Sequence, residues 1–121
     1  MTYDAWPALE NVILEESWVL EVAPSHGLIA FRIEAVLRPS HEAFTHPRPG
    51  EMYCYRSGWL IIVSENMTTA LSGAPAAVDA NGERDWGNID LFEQIEKGVW
   101  TLEGDWGTVV AVTPSVDLVL D

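Results

Sequence analysis

A single cysteine, Cys54, stands in a chain of 121 residues, so no intrachain disulfide can staple it. Cations are equally scarce. The six basic residues, Arg32, Arg38, Arg48, Arg56, Arg84 and Lys97, are scattered singly, whereas a phosphate backbone is gripped by clustered lysine and arginine. No nucleic-acid partner is expected. No apolar run approaches the roughly 18 residues needed for a membrane-spanning helix. Met1-Thr2-Tyr3-Asp4 carries neither the basic nor the apolar region of an export signal, so a cytoplasmic chain without membrane association is expected. On that expectation the glycosylation pattern Asn66-Met67-Thr68 is coincidental. The Gly-x-Gly-x-x-Gly, phosphate-loop and Gly-x-Ser-x-Gly patterns are missing, which removes nucleotide-loop and hydrolase-elbow readings.

Acids and tryptophans are what the chain does contain. Nineteen Asp and Glu give a formal net charge of -13, yet 48% of residues are apolar and six are Trp. A disordered acidic tail lacks such aromatics, so this chain packs. Its length suits one domain over residues 1–121, burying roughly two-thirds of the unfolded surface. The acidic field repels anionic surfaces and speeds encounter with basic ones.

Alternation of apolar and polar residues dominates. Ile29, Phe31, Ile33, Ala35 and Leu37 share a face opposite Arg32, Glu34 and Arg38. Before them Trp18, Leu20 and Val22 share a face opposite Glu21, and Pro24-Ser25-His26-Gly27 turns one run into the other as a hairpin. Leu9 to Leu14 supplies a preceding strand, with Glu15-Glu16 at a turn. Pro39 to Gly50, with its prolines, is a long loop. Glu51 to Arg56 and Trp59 to Ser64 flank Ser57-Gly58 as a second hairpin. Trp59-Leu60-Ile61-Ile62-Val63 has no polar side, so it is covered on both faces or lies mid-sheet. A second loop spans Leu71 to Asp90, with a short strand around Ala76 to Val78 and a tight turn at Asn81-Gly82. Asp90-Leu91-Phe92-Glu93 opens at most one helical turn. A meander closes the chain, with Trp100 and Leu102 inward in one strand and Val116, Leu118 and Leu120 sharing a face in the last. The fold class is therefore all-β: an antiparallel β-sandwich or small barrel of seven to eight short strands, with at most one short helical turn.

The tripeptide Asp-Trp-Gly occurs twice, at Asp85-Trp86-Gly87 and Asp105-Trp106-Gly107. Each reads as a corner of one sheet, with Gly at positive φ and Trp covering the end.

Chemistry-bearing clusters are sparse. His41 and His46 are five apart and run into Pro47, which breaks the helical zinc spacing, although His41, Glu42, His46 and Cys54 can still converge from a loop. Asp79, Asn81, Glu83, Asp85 and Asp90 resemble a calcium loop but place Gly fourth instead of sixth and end in Asp. Cys54 lies between Tyr53 and Tyr55 in a strand, away from a helix N-terminus that activates a thiol. Glu21 with Arg32 is a ready cross-strand ion pair. No catalytic residue, metal site or cofactor is assigned. Tyr53, Tyr55, Trp59, Trp86 and Trp106, with Trp100 nearby in sequence, are the candidate ligand-binding residues.

These observations imply a non-enzymatic binding domain that meets a basic protein through an acidic face, as an immunity or inhibitor protein does, an analogy of composition alone. The alternative is a small-ligand barrel lined by Trp and Tyr, with weak metal- or Cys/His-dependent activity near His41, His46 and Cys54. Monomer and homodimer both fit, the latter with Trp59 to Val63 at the interface.

Overall fold

Two four-stranded antiparallel sheets face each other in the computed structural model, which describes residues 1–72, 77–78 and 84–121, excepting the side chains of 77, 78, 84 and 85. Strands are numbered in chain order. The first sheet runs β1 (Val12–Ser25), β2 (Leu28–Leu37), β3 (Cys54–Val63) and β10 (Ser115–Leu120). The second runs β4 (Asn66–Leu71), β9 (Gly107–Val112), β8 (Val99–Gly104) and β7 (Leu91–Glu96). A short ribbon pairs β5 (Ala77–Val78) with β6 (Arg84–Asp85), so the short strand expected around residues 76–78 is β5. The Asn81-Gly82 turn and Asp79, Asn81 and Glu83 of the calcium-like run, with the side chain of Asp85, lie outside the described residues. Among the described residues helix is confined to two 3-10 turns, Tyr3–Ala5 and Pro7–Leu9, and no helix is long and apolar enough to cross a membrane.

The core follows the alternation. Ile29, Phe31, Ile33, Ala35 and Leu37 are all buried, and they meet Phe92, Leu102, Val109 and Ala111 from the opposite sheet. Trp100 and Leu102 point inward, and Val116, Leu118 and Leu120 pack onto the same core. Trp106 plugs the space between the sheets at 1% exposure, its ring edge-on to Phe31 with centroids 4.7 Å apart. Its indole N–H, which needs a partner once buried, donates to the Asn88 carbonyl at 3.1 Å.

Both Asp-Trp-Gly glycines have positive φ, 79° at Gly87 and 136° at Gly107, as the turn chemistry requires. The corners do not belong to one sheet. Trp106 caps the β8–β9 hairpin, whereas Gly87 and Asn88 run against β1, where Val19 N–H donates to Gly87 O at 2.8 Å and the Asn88 amide to Ser17 O at 2.8 Å.

Five further expectations are corrected. Leu9 to Leu14 is not a separate strand and Glu15-Glu16 is not a turn, because β1 runs unbroken from Val12 to Ser25. Its ladder instead carries two irregularities. Leu20 is left over between the pairs Val19↔Ile33 and Glu21↔Arg32, a bulge that shifts the phase. Val19 and Val22 therefore turn to the core, while Trp18 and Leu20 are 42% and 39% exposed. Ser57-Gly58 is not a hairpin, because Cys54–Val63 is one strand paired on both sides. Gly58 is there for closeness of approach: a Cβ on it would stand 2.5 Å from the Val119 carbonyl oxygen. Asp90-Leu91-Phe92-Glu93 opens strand β7 rather than a helical turn, and Lys97-Gly98 joins it to β8. Asn66–Leu71, unassigned from sequence, is edge strand β4; its largely exposed side chains gave no alternating signal. The mid-sheet alternative for Trp59 to Val63 is the one realised, between β2 and β10.

Candidate protein-docking face

Register fixes which side chains share the outer surface of the first sheet. Successive cross-strand rows are Glu21, Arg32, Trp59 and Val119; then Ala23, Ala30, Ile61 and Asp117; then Ser25, Leu28, Val63 and Ser115. Such a solvent face of an antiparallel sheet is ordinarily polar. Here the middle strand presents Trp59, Ile61 and Val63, flanked by Leu28, Ala30 and Val119, and Val63 and Val119 are 42% and 50% exposed. Trp18 extends the apolar surface along β1.

Acids surround this strip: Glu21, Glu34, Asp117 and Asp121. In the cross-strand rows of the strip the cation is Arg32, which reaches across β3. The guanidinium lies 5.5 Å from the Trp59 ring centroid and donates to both carboxylate oxygens of Asp121, at 2.9 and 2.5 Å. The planar fork matches a carboxylate bidentately and its face is attracted to the indole quadrupole. That hydrogen-bonded pairing holds the Asp121 carboxyl below the usual carboxylate range. Arg32 is thus paired to Asp121 and not to Glu21, which is its register partner and acts on it only through the field.

One end of the face adjoins a hollow of about 300 Å³ lined by Glu34, Arg48, Glu51, Tyr55, Ser57 and Asp121. Arg56 ties this end together by donating to Ala43 O at 3.2 Å and to Asp121 O at 2.9 Å.

Of the five candidate ligand residues, three gather here. Tyr55 and Trp59 project from the same side of β3, and Tyr53 stands edge-on to Tyr55 with ring centroids 6.1 Å apart. Trp106 is in the core and Trp86 packs against it, so the five line no common pocket. The loop residues also divide: His46 and Cys54 border a hollow of about 60 Å³, while His41 faces a different one beside Pro7 and Glu10. Cys54 is buried with its sulfur 3.4 Å from Thr45 N. Among the described residues no three His, Cys, Asp or Glu side chains converge to hold a metal. Sequence reasoning named Trp59 to Val63 as a candidate interface strand but missed Val119 and the Arg32–Asp121 pair as parts of the same surface. The available signal was the absence of a polar side in Trp59 to Val63.

Acids also crowd elsewhere. Partial burial, and then the neighbouring Asp105, raise the Asp90 carboxyl above its usual range. Comparison with protein-family models, with curated proteins and with solved structures found no match to this chain.

Proposed function

We propose that the protein is a binding module whose outer first-sheet face docks a basic protein surface. The observation that carries this reading is the apolar strip Trp59, Ile61, Val63 and Val119 on a solvent-facing sheet surface, rimmed by Glu21, Glu34, Asp117 and Asp121. Exposed aromatic and aliphatic groups supply the desolvated centre of an interface, and the rim supplies orientation and rate. A formal charge of -13 works against two copies meeting face to face and favours a cationic partner. In this reading Trp59 is the anchor. Arg32 holds its ring in place from one side and is itself neutralised by Asp121, so the rim remains net acidic.

Affinity enrichment from an extract of the source cells tests this, run in parallel with wild type and with a Trp59→Glu/Val119→Lys variant. The expected result is a basic protein retained by wild type alone, its association slowing as salt rises. Retention of the same proteins by both baits would overturn the reading.

A further inference from the structure

The edge of β10 away from β3, where the 3-10 turn Pro7–Leu9 packs against the strand but no strand pairs with it among the described residues, offers a different kind of recognition. Asp121 N–H donates to Ser57 O at 2.9 Å, and the register pairs Asp121's neighbours in step: Val119 with Trp59, Asp117 with Ile61, Ser115 with Val63. In an antiparallel ladder, hydrogen-bonded and non-hydrogen-bonded pairs alternate. The odd residues of β10 therefore spend their backbone groups on β3. Val116, Leu118 and Leu120 turn theirs to the other side, where among the described residues no strand pairs with β10.

Leu118 bears this out directly, since its N–H is taken by the side-chain carboxylate of its own neighbour Asp117, at 2.9 Å in an exposed position. Such local capping keeps an edge from pairing indiscriminately, and a strand that brings a carbonyl can replace it. Beside this edge runs a groove of about 370 Å³, bounded by Leu118 and Leu120 on one side and by Pro7, His41 and Glu42 on the other. A second hollow of about 350 Å³ continues from Pro7, His41 and Glu42 toward Glu10. The groove thus combines a ladder of main-chain donors and acceptors, apolar walls, and the carboxylates of Glu42 and Asp117.

We propose that the β10 edge accepts an extended segment of a partner protein, alternating basic and apolar residues, as an added antiparallel or parallel strand. Backbone bonds to Val116, Leu118 and Leu120 supply the affinity, and Glu42 and Asp117 select lysine or arginine. Wild-type net charge disfavours a second copy of this chain on the same edge. This inference does not rest on docking at the outer sheet face.

The test uses three synthetic heptapeptides: one alternating Lys with Val, one of the same composition with its lysines in a single block, and the alternating one N-methylated at every second amide. Amide hydrogen exchange of the full chain is followed by NMR during each titration. The alternating peptide is expected to slow exchange at Val116, Leu118 and Leu120 while leaving Trp59 and Val63 shifts unchanged, and the other two to do so at least about tenfold less tightly. Glu42→Lys, which lies off the outer face, should weaken the alternating peptide about threefold. Equal binding of the alternating and block peptides, or binding without slowed exchange at those three amides, would overturn the proposal. So would slowing that depends on protein concentration without peptide, which would mean edge-to-edge pairing of two copies.

Discussion

The hydroxyl of Ser17 accepts the Val36 N–H at 2.9 Å and donates to the Ile13 carbonyl at 2.7 Å, filling a gap in the β1–β2 ladder. Without it, a buried amide would have no partner. Ser17→Ala should therefore cost about 1–3 kcal/mol, the penalty of an unsatisfied buried donor. The urea midpoint measures this. An unchanged midpoint would mean that the bulge closes without the hydroxyl.

Gly58→Ala tests the close approach of β3 and β10. The added methyl meets the Val119 backbone, which cannot rotate away as a side chain can. A loss of about 1–3 kcal/mol is expected, as for other overpacked sites. Exchange at the amides of β10 should accelerate before that of β2. Uniform acceleration would place the strain elsewhere.

Two tryptophans separate core from surface. Trp106, 1% exposed and edge-on to Phe31, should cost about 3–5 kcal/mol as Trp106→Ala. Trp59→Ala, on the outer face, should cost less than about 1 kcal/mol. Comparable losses in chemical unfolding would contradict the assignment of Trp59 to a surface kept for contact.

The carboxyls of Asp121 and Asp90 move in opposite directions from 3.8. Hydrogen bonds from Arg32 lower Asp121, so its contribution to stability is complete above 3.8 and is lost as pH falls through the folded value beneath it. Burial and Asp105 raise Asp90, so its cost is complete above its folded value and disappears below 3.8. Acidification from neutrality should relieve Asp90 before it breaks Arg32–Asp121. Carboxyl NMR titration should place the Asp121 midpoint below that of Asp90, and Arg32→Ala should bring Asp121 back toward 3.8. Asp90→Asn should stabilise at pH 7 and be neutral at pH 3, each read against wild type. A reversed order of midpoints would contradict the pairing.

Much of this architecture is legible from residue order, and the exceptions share a physical cause. Ile29 to Ala35 reads correctly because this part of β2 keeps strict alternation, so burial follows sequence parity until Val36, which is buried as well. β1 does not, since one unpaired residue at Leu20 reverses the phase and sends Trp18 outward. Gly58 reads as a turn because glycine serves both reversal and close backbone approach, and only the neighbouring β10 distinguishes them. Asp90 to Glu93 fits a helix cap locally, but pairing with β8 outweighs the cap. For the docking face, Tyr55 and Trp59 are within reach of sequence because they share a strand. Val119 and Asp121 join them only through the β3–β10 register, which composition does not encode.

Site-specific photocross-linking tests the central claim most directly. A benzophenone amino acid is placed at Val119, within the apolar strip, and separately at the exposed Glu103 of the second sheet. The Val119 probe is predicted to yield one dominant adduct in source cells, with a basic protein, and Trp59→Glu should abolish it while the Glu103 probe yields none. Absence of an adduct from Val119, or the same adducts from both positions, would contradict docking at this face.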